Sequence, residues 1–309
     1  MIYPGQGSQS VGMGRALAQA SPAAAAVWEE SDATLREPLS RLAWEGPADE
    51  LDQTVNAQPA LLAASIAAHR ALPDVGAAFR AGHSMGQYSA MVAAGTLSLA
   101  DALLLVRERG RLMQDASPDG AMAAIIGLDE AREPELLTAG ASAGVLTIAN
   151  RNSPGQIVIS GDRAAVTTAS ETARALGARR AIVLPVSVAA HSALMEPAAA
   201  GMREALGPVP FDDPDVPLLA NADAALLPTG EACRSELVEH LTAGVDWVRS
   251  VRAMVEAGVD TFLEVGTGKV LTGLVRRIAP DARAIAVDDL VLEHGIDASF
   301  ALEPIHSLA

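Results

Sequence analysis

The chain has 309 residues, half of them hydrophobic, with Lys+Arg 22 against Asp+Glu 38 and a formal charge of −16. This is a soluble globular composition with ample core material, sized for one large domain that carries a smaller inserted one. The acidic balance argues against nucleic acid or an anionic membrane as the main partner and leaves only a local basic patch open, while lone Cys233 excludes an intrachain disulfide and a cysteine-rich metal site.

The opening stretch MIYPGQGSQS lacks the charged start and apolar run of a signal peptide, so a cytoplasmic location is expected. Met1 to Tyr3 reads as a stub of strand entering the loop Pro4-Gly5-Gln6-Gly7-Ser8-Gln9, and helical patterns then alternate with polar turns as far as Leu72. Ser21 before Pro22 marks a helix start, the hydroxyl capping and the proline sitting where its missing N–H costs nothing. Pro59 is expected to open the next helix. A short strand over 78–82 and an Ala-rich helix over 84–94 follow, then a helix through Gln114 that starts at the Ser98/Asp101 capping box. The uncharged stretch 81–100 is long enough for a bilayer, but it holds His83, Gln87 and three glycines and does not read as a membrane helix.

From Gly120 the order becomes strand 121–128, helix 130–139, strand 145–150, strand 156–160, helix 163–176 and strand 180–186. This βαββαβ succession is the ferredoxin-like plan. It predicts an α/β protein with a ferredoxin-like subdomain at 118–188 inserted into a main domain made of 1–117 and 189–309. Beyond it lie helix patterns near 195–206, 236–241 and 248–257, a strand at 261–265 and a helix opening after Gly266-Thr267-Gly268. The tail past Asp289 has little periodicity and is expected to be poorly ordered.

Gly82-His83-Ser84-Met85-Gly86 matches G-x-S-x-G between a predicted strand and a predicted helix, the context in which the pattern forms a nucleophile elbow. A serine nucleophile needs a base, and the histidines are His69, His83, His191, His240, His294 and His306. His83 adjoins Ser84 on the elbow and should point away from it. His191, where the chain re-enters the main domain, is the best candidate. Gln6 and Gln9 read either as ordinary turn residues or, through the backbone N–H of Gln6 together with that of Met85, as part of an oxyanion hole. Arg109, beside Arg107, Glu108 and Arg111, reads on its own as a surface arginine of an amphipathic helix.

The motifs Gly5-Gln6-Gly7-Ser8-Gln9, Gln58-Pro59-Ala60-Leu61, Gly82-His83-Ser84-Met85-Gly86-Gln87-Tyr88-Ser89-Ala90, Arg107-Glu108-Arg109-Gly110, Asn152-Ser153-Pro154-Gly155-Gln156 and Glu264-Val265-Gly266 occur in this order. From Tyr3 to about Asp288 the chain thereby resembles the malonyl-CoA:acyl carrier protein transacylases. The resemblance implies an α/β-hydrolase-like core with a ferredoxin-like insertion. It also implies Ser84 as nucleophile, His191 as base, Gln6 and Met85 as backbone oxyanion donors, and Arg109 as the partner of the malonyl carboxylate. His240 falls where the family orients its histidine through a main-chain carbonyl, so its side chain is expected to be free to vary. Three positions depart from the family: Gln87 for Glu, Thr267 for Pro, and Ala190, before the base, where many malonyl-selective members have Phe.

The implied reaction is ping-pong transfer of malonyl from malonyl-CoA to the phosphopantetheine thiol of acyl carrier protein, with no metal or resident cofactor, by a monomer. The alternatives are methylmalonyl as the acyl group, a malonate-decarboxylase carrier as acceptor, or a serine hydrolase. A hydrolase would call on Asp129, Glu130 or Glu133 as the acidic triad member. Because acyl carrier protein is itself acidic, docking calls for a local basic rim, and Lys269, Arg276 and Arg277 are the candidates.

Overall fold

The computed structural model describes residues 1–73, 75–186 and 188–289. In chain order, β1 (Ile2–Tyr3) leads to α1 (Arg15–Ala20), α2 (Pro22–Leu35), α3 (Leu39–Glu45), α4 (Ala48–Leu51) and α5 (Thr54–Ala71). Next come β2 (Ala81–Gly82), α6 (Gly86–Ala93), α7 (Leu99–Ala116), β3 (Gly120–Ile126), α8 (Glu133–Ala141), β4 (Leu146–Ser153), β5 (Gln156–Asp162), α9 (Arg163–Ala175) and β6 (Arg180–Val183). The chain continues through α10 (Glu196–Leu206), α11 (Gly230–Ala243), β7 (Val245–Asp246), α12 (Trp247–Glu256), β8 (Thr261–Glu264), α13 (Val270–Ile278) and β9 (Arg283–Ala286). His294, His306 and the tail past Asp289 lie outside the described residues.

β2, β1, β8 and β9 form a parallel sheet in that order. Ile2 and Tyr3 are fully buried at its centre, as expected for a parallel sheet with both faces covered. In such sheets ligands bind outside the carboxyl ends of the strands. Here those ends release the Pro4 to Gln9 loop from β1 and the His83 to Met85 turn from β2, side by side. α5 packs under them, buried from Ala57 to Ala68. α7 crosses it at a glycine: a Cβ on Gly110 would fall 2.7 Å from Cα of Val55. That close approach sets Arg109 of α7 opposite Gln58 of α5.

The second sheet has the order β6-β3-β5-β4-β7. Its first four strands are the antiparallel ferredoxin-like arrangement, with α8 and α9 packed on it. β7 adds a parallel edge strand from outside the βαββαβ unit, pairing Asn150 with Val245, which the sequence pattern does not announce. Register shifts in β4 between Ile148 and Asn150 and between Arg151 and Ser153 bend that strand where it faces the main domain.

Several boundaries differ from expectation. Pro59 lies inside α5, not at its start, because the turn ahead of it is held from elsewhere: the Val55 N–H donates to Oε1 of Gln114 on α7. β2 is confined to Ala81–Gly82, and β6 ends at Val183, leaving Leu184 to Val186 to line a cleft. α11 starts at Gly230, far ahead of the expected 236, since the Thr229 hydroxyl accepts from the Ala232 N–H and Asp213 accepts from the Gly230 N–H.

Candidate active site

Ser84 stands between β2 and α6 with φ 52°, outside the helix expected to contain it. The flanking glycines have no room for a side chain: a Cβ on Gly82 would lie 2.0 Å from the Gly86 carbonyl carbon, and one on Gly86 would lie 2.2 Å from the Tyr3 oxygen. The left-handed serine is held by a residue the sequence reading missed, Asn221, whose Oδ1 accepts from the Ser84 N–H at 2.8 Å. The Asn221 N–H in turn donates to Oε1 of buried Glu236 at 2.7 Å. An Asn in an irregular stretch carries no local signal for this role.

Ser84 Oγ lies 2.8 Å from His191 Nε2, and His191 Nδ1 lies 2.6 Å from the carbonyl oxygen of His240. A carbonyl can only accept, so Nδ1 carries the hydrogen and Nε2 presents a lone pair to the hydroxyl. Burial, reinforced by Arg109, pushes the His191 pKa down to about 3. The other histidine of the elbow, His83, instead reaches Asn152 Oδ1 at 2.9 Å and packs edge-on to Trp247, tying the elbow to the second sheet. Asp129 caps the turn before α8 and Glu133 pairs with Arg151, so neither reaches His191. No carboxylate completes a triad among the described residues.

Arg109 is 1% exposed, the reverse of the surface position its neighbours suggest. Arg107 pairs with Glu37, and Arg111 with Glu108 and Asp115, whereas Arg109 has no carboxylate partner among the described residues. Its Nη1 donates to Gln58 Oε1 at 2.8 Å, and its Nη2 lies 3.3 Å from Ser84 Oγ and 3.2 Å from His240 Nε2. Burial pulls its pKa below the ordinary range. Such a desolvated guanidinium beside a nucleophile is a site for an anion. The contact with His240 corrects the expectation that this side chain is idle.

The backbone N–H groups of Gln6 and Met85 make no hydrogen bond within the described residues, and both border the cleft that holds Ser84. They come from the two adjacent strand ends, with Met85 at the positive end of α6. The Gln6 side chain is engaged separately with Thr54, and Gln9 accepts from the Gly7 N–H while donating to Asp52. The cleft has a volume of about 530 Å³ and its walls include Met113, Met122, Val186, Ala190 and Leu274. Buried Glu264 fixes the α13 wall by accepting from the N–H groups of Leu271 and Thr272.

At the departures from the family pattern, Gln87 accepts from the Gly82 N–H and donates to the Leu219 carbonyl, bracing the elbow. The Thr267 hydroxyl donates to Asp288. Of the expected basic rim, Lys269 pairs with Asp289, Arg276 donates to the Ala284 carbonyl, and Arg277 donates to Gln156 across to the second sheet. Among the described residues, no cluster of His, Cys, Asp or Glu could hold a metal ion, and no helix is long and apolar enough to cross a membrane.

Fold and site together define an acyltransferase, and the family model for the acyl transferase domain matches residues 1–291. The chain is 45% identical over 293 residues to the malonyl CoA-acyl carrier protein transacylase of Bacillus subtilis, covering 93% of this chain and 92% of that one. A crystal structure of the acyl-carrier-protein S-malonyltransferase of Bartonella henselae superposes with a TM-score of 0.93 at 46% identity, covering 99% and 98% of the two chains. A malonyl-transacylase solved in complex with its type II polyketide acyl-carrier protein matches with a TM-score of 0.88 at 41% identity, over 93% of each chain. The chain belongs to the family of malonyl CoA-acyl carrier protein transacylases, as its motifs led one to expect.

Proposed function

We propose that this enzyme moves a malonyl group from malonyl-CoA to the phosphopantetheine thiol of an acyl carrier protein through an ester on Ser84. The observation that carries the reading is the buried Arg109 guanidinium, 3.3 Å from Ser84 Oγ and without a carboxylate of the protein's own among the described residues. A dicarboxylic acyl group supplies the missing anion.

His191 Nε2 takes the Ser84 proton as Oγ attacks the thioester carbonyl, and the oxygen that gains charge is received by the N–H groups of Gln6 and Met85. Coenzyme A leaves as its sulfur takes the proton from His191. The malonyl ester waits with its free carboxylate on Arg109. The carrier thiol then gives its proton to His191, its sulfur attacks the ester, and the proton returns to Ser84 as the new thioester forms. The orienting carbonyl of His240 serves both half-reactions. The scheme needs no metal or resident cofactor, and a single chain supplies every group in it, which supports a monomer; a coenzyme A donor suits a cytoplasmic location.

Ala190 leaves room beside His191 where a larger residue would narrow the cleft, which favours methylmalonyl as a second donor to be tested. Intact-mass spectrometry after incubation with malonyl-, methylmalonyl- and acetyl-CoA reads the acyl group directly from the adduct. Ser84→Ala should carry no adduct at all. Arg109→Ala should lose about 30- to 1000-fold in kcat/KM for malonyl-CoA and far less for acetyl-CoA, the size expected for a desolvated charge-assisted pair. Equal losses on both donors would make the arginine structural and remove the basis for the malonyl reading.

A further inference from the structure

His240 occupies an unusual position for a residue expected to act through its backbone alone. Its imidazole is fully buried on the last turns of α11, and both ring nitrogens are committed. Nδ1 lies 2.8 Å from the Glu236 carbonyl one turn earlier, so it carries the hydrogen, and Nε2 is left as an acceptor 3.2 Å from Arg109 Nη2. The groups facing it are Arg109 from α7, His191 from the loop before α10 and the Tyr88 ring from α6. Burial and the Arg109 charge hold its pKa well below the ordinary range, which keeps the acceptor lone pair available.

We propose that the His240 imidazole is a specificity-determining positioning residue, holding the Arg109 fork in the orientation that receives the acyl carboxylate while its own backbone carbonyl orients the base.

The guanidinium's hydrogens decide how the fork is held. Each terminal nitrogen of a guanidinium has two hydrogens. Gln58 accepts one from Nη1 and His240 accepts one from Nη2; the second Nη2 hydrogen faces Ser84 Oγ at 3.3 Å, and when it turns from there to the acyl carboxylate it makes a two-pronged pair together with the remaining Nη1 hydrogen. Once Nη2 has left Ser84 for the carboxylate, a fork without the His240 acceptor is anchored to the protein at the Gln58 corner only. It can then rotate about that corner, and the two free hydrogens no longer present a fixed plane. The Arg109 Nε, buried and without a partner among the described residues, supplies no second anchor. One side chain therefore ties acyl selectivity to the same helical turn that orients the base.

This inference rests on the reading that Arg109 pairs with the malonyl carboxylate, and the test separates the two. His240→Leu removes the acceptor and keeps the backbone carbonyl. It should lower kcat/KM for malonyl-CoA by about 10- to 100-fold, the scale of a hydrogen bond to a charged group, mainly through KM. Acetyl-CoA, without a carboxylate, should lose much less, and reaction of Ser84 with a sulfonyl fluoride should persist. His240→Gln, whose amide oxygen can accept, should restore most of the malonyl preference. If leucine does not yield folded protein, His240→Phe, which has no lone-pair acceptor, against His240→Gln gives the same comparison. An unchanged malonyl-to-acetyl ratio, or a glutamine variant as defective as the leucine one, overturns the inference. Should Arg109→Ala leave the preference intact, the malonyl reading of the site fails first; if Arg109→Ala abolishes it while His240→Leu retains it, only the role of His240 falls.

Discussion

Because the His191 Nδ1 hydrogen goes to a neutral carbonyl, no anion offsets the burial and the Arg109 charge that lower this histidine's pKa. With a depressed folded pKa the base stays unprotonated through the working range. The acid limb of kcat/KM for acetyl-CoA should therefore lie well below the ordinary histidine value, and Arg109→Ala should move it upward by removing the largest cause after burial. A pH–rate profile of both enzymes checks this; coincident limbs would remove Arg109 from the electrostatics of the base. Glu236 shifts in the opposite sense, as burial raises its carboxyl to about 7. The folded state then holds this proton more tightly than the unfolded chain, a contribution present at acid pH and lost as pH rises through 7. Glu236→Gln keeps an acceptor for the Asn221 N–H but does not titrate. Its stability relative to the parent should rise by on the order of 3 kcal/mol between about pH 4 and pH 8, measured by urea unfolding at both ends.

Elements succeed or fail here on backbone clearance. Gly86 opens α6 against the Tyr3 oxygen, so Gly86→Ala should abolish folding or the elbow, seen as loss of soluble protein or of Ser84 acylation. Gly273, inside α13, has nothing within 4 Å of where its Cβ would go. Gly273→Ala should stabilise by about 0.5–1 kcal/mol, the ordinary helix-propensity gain, read as a raised unfolding midpoint at unchanged kcat. α11 shows how far an element's importance can exceed its sequence signal. Only residues 236–241, in its second half, suggested a helix, yet Glu236 and His240, one turn apart, connect respectively to Asn221 behind Ser84 and to both His191 and Arg109. Its weak amphipathic pattern reflects a helix buried on more than one side, where periodicity fades.

For the whole molecule, a charge of −16 must be reconciled with docking of an acyl carrier protein, which is expected to be acidic. Arg276 and Arg277 are exposed on α13, whose first turns wall the cleft, while the charge of Lys269 is offset by Asp289. Reversing both arginines should raise KM for the carrier protein and leave KM for malonyl-CoA near its parent value, with the difference shrinking as salt rises. Carrier kinetics that do not change across a salt series would move the docking face elsewhere. The two sheets meet at the elbow itself, through His83 against Trp247 and Asn152 and through β7 beside β4.

The residues that could be read in sequence were those whose geometry is set by their neighbours. G-x-S-x-G between strand and helix determines a strained serine because the flanking glycines clear backbone within a few positions, and the βαββαβ alternation follows from local periodicity. Ser21 and Ser98 cap the helices their positions announced. What only the tertiary structure decided were the partners. Asn221 reaches Ser84 across 137 positions, Gln58 reaches Arg109 across 51, and the Arg109 to His240 contact spans 131. Arg109 itself reads as a surface residue until α5 and α7 close on each other at Gly110 and bury it. Hydrophobic periodicity records which face of a helix turns inward, but not which distant polar group will satisfy a buried donor, since that pairing exists only once the chain has packed.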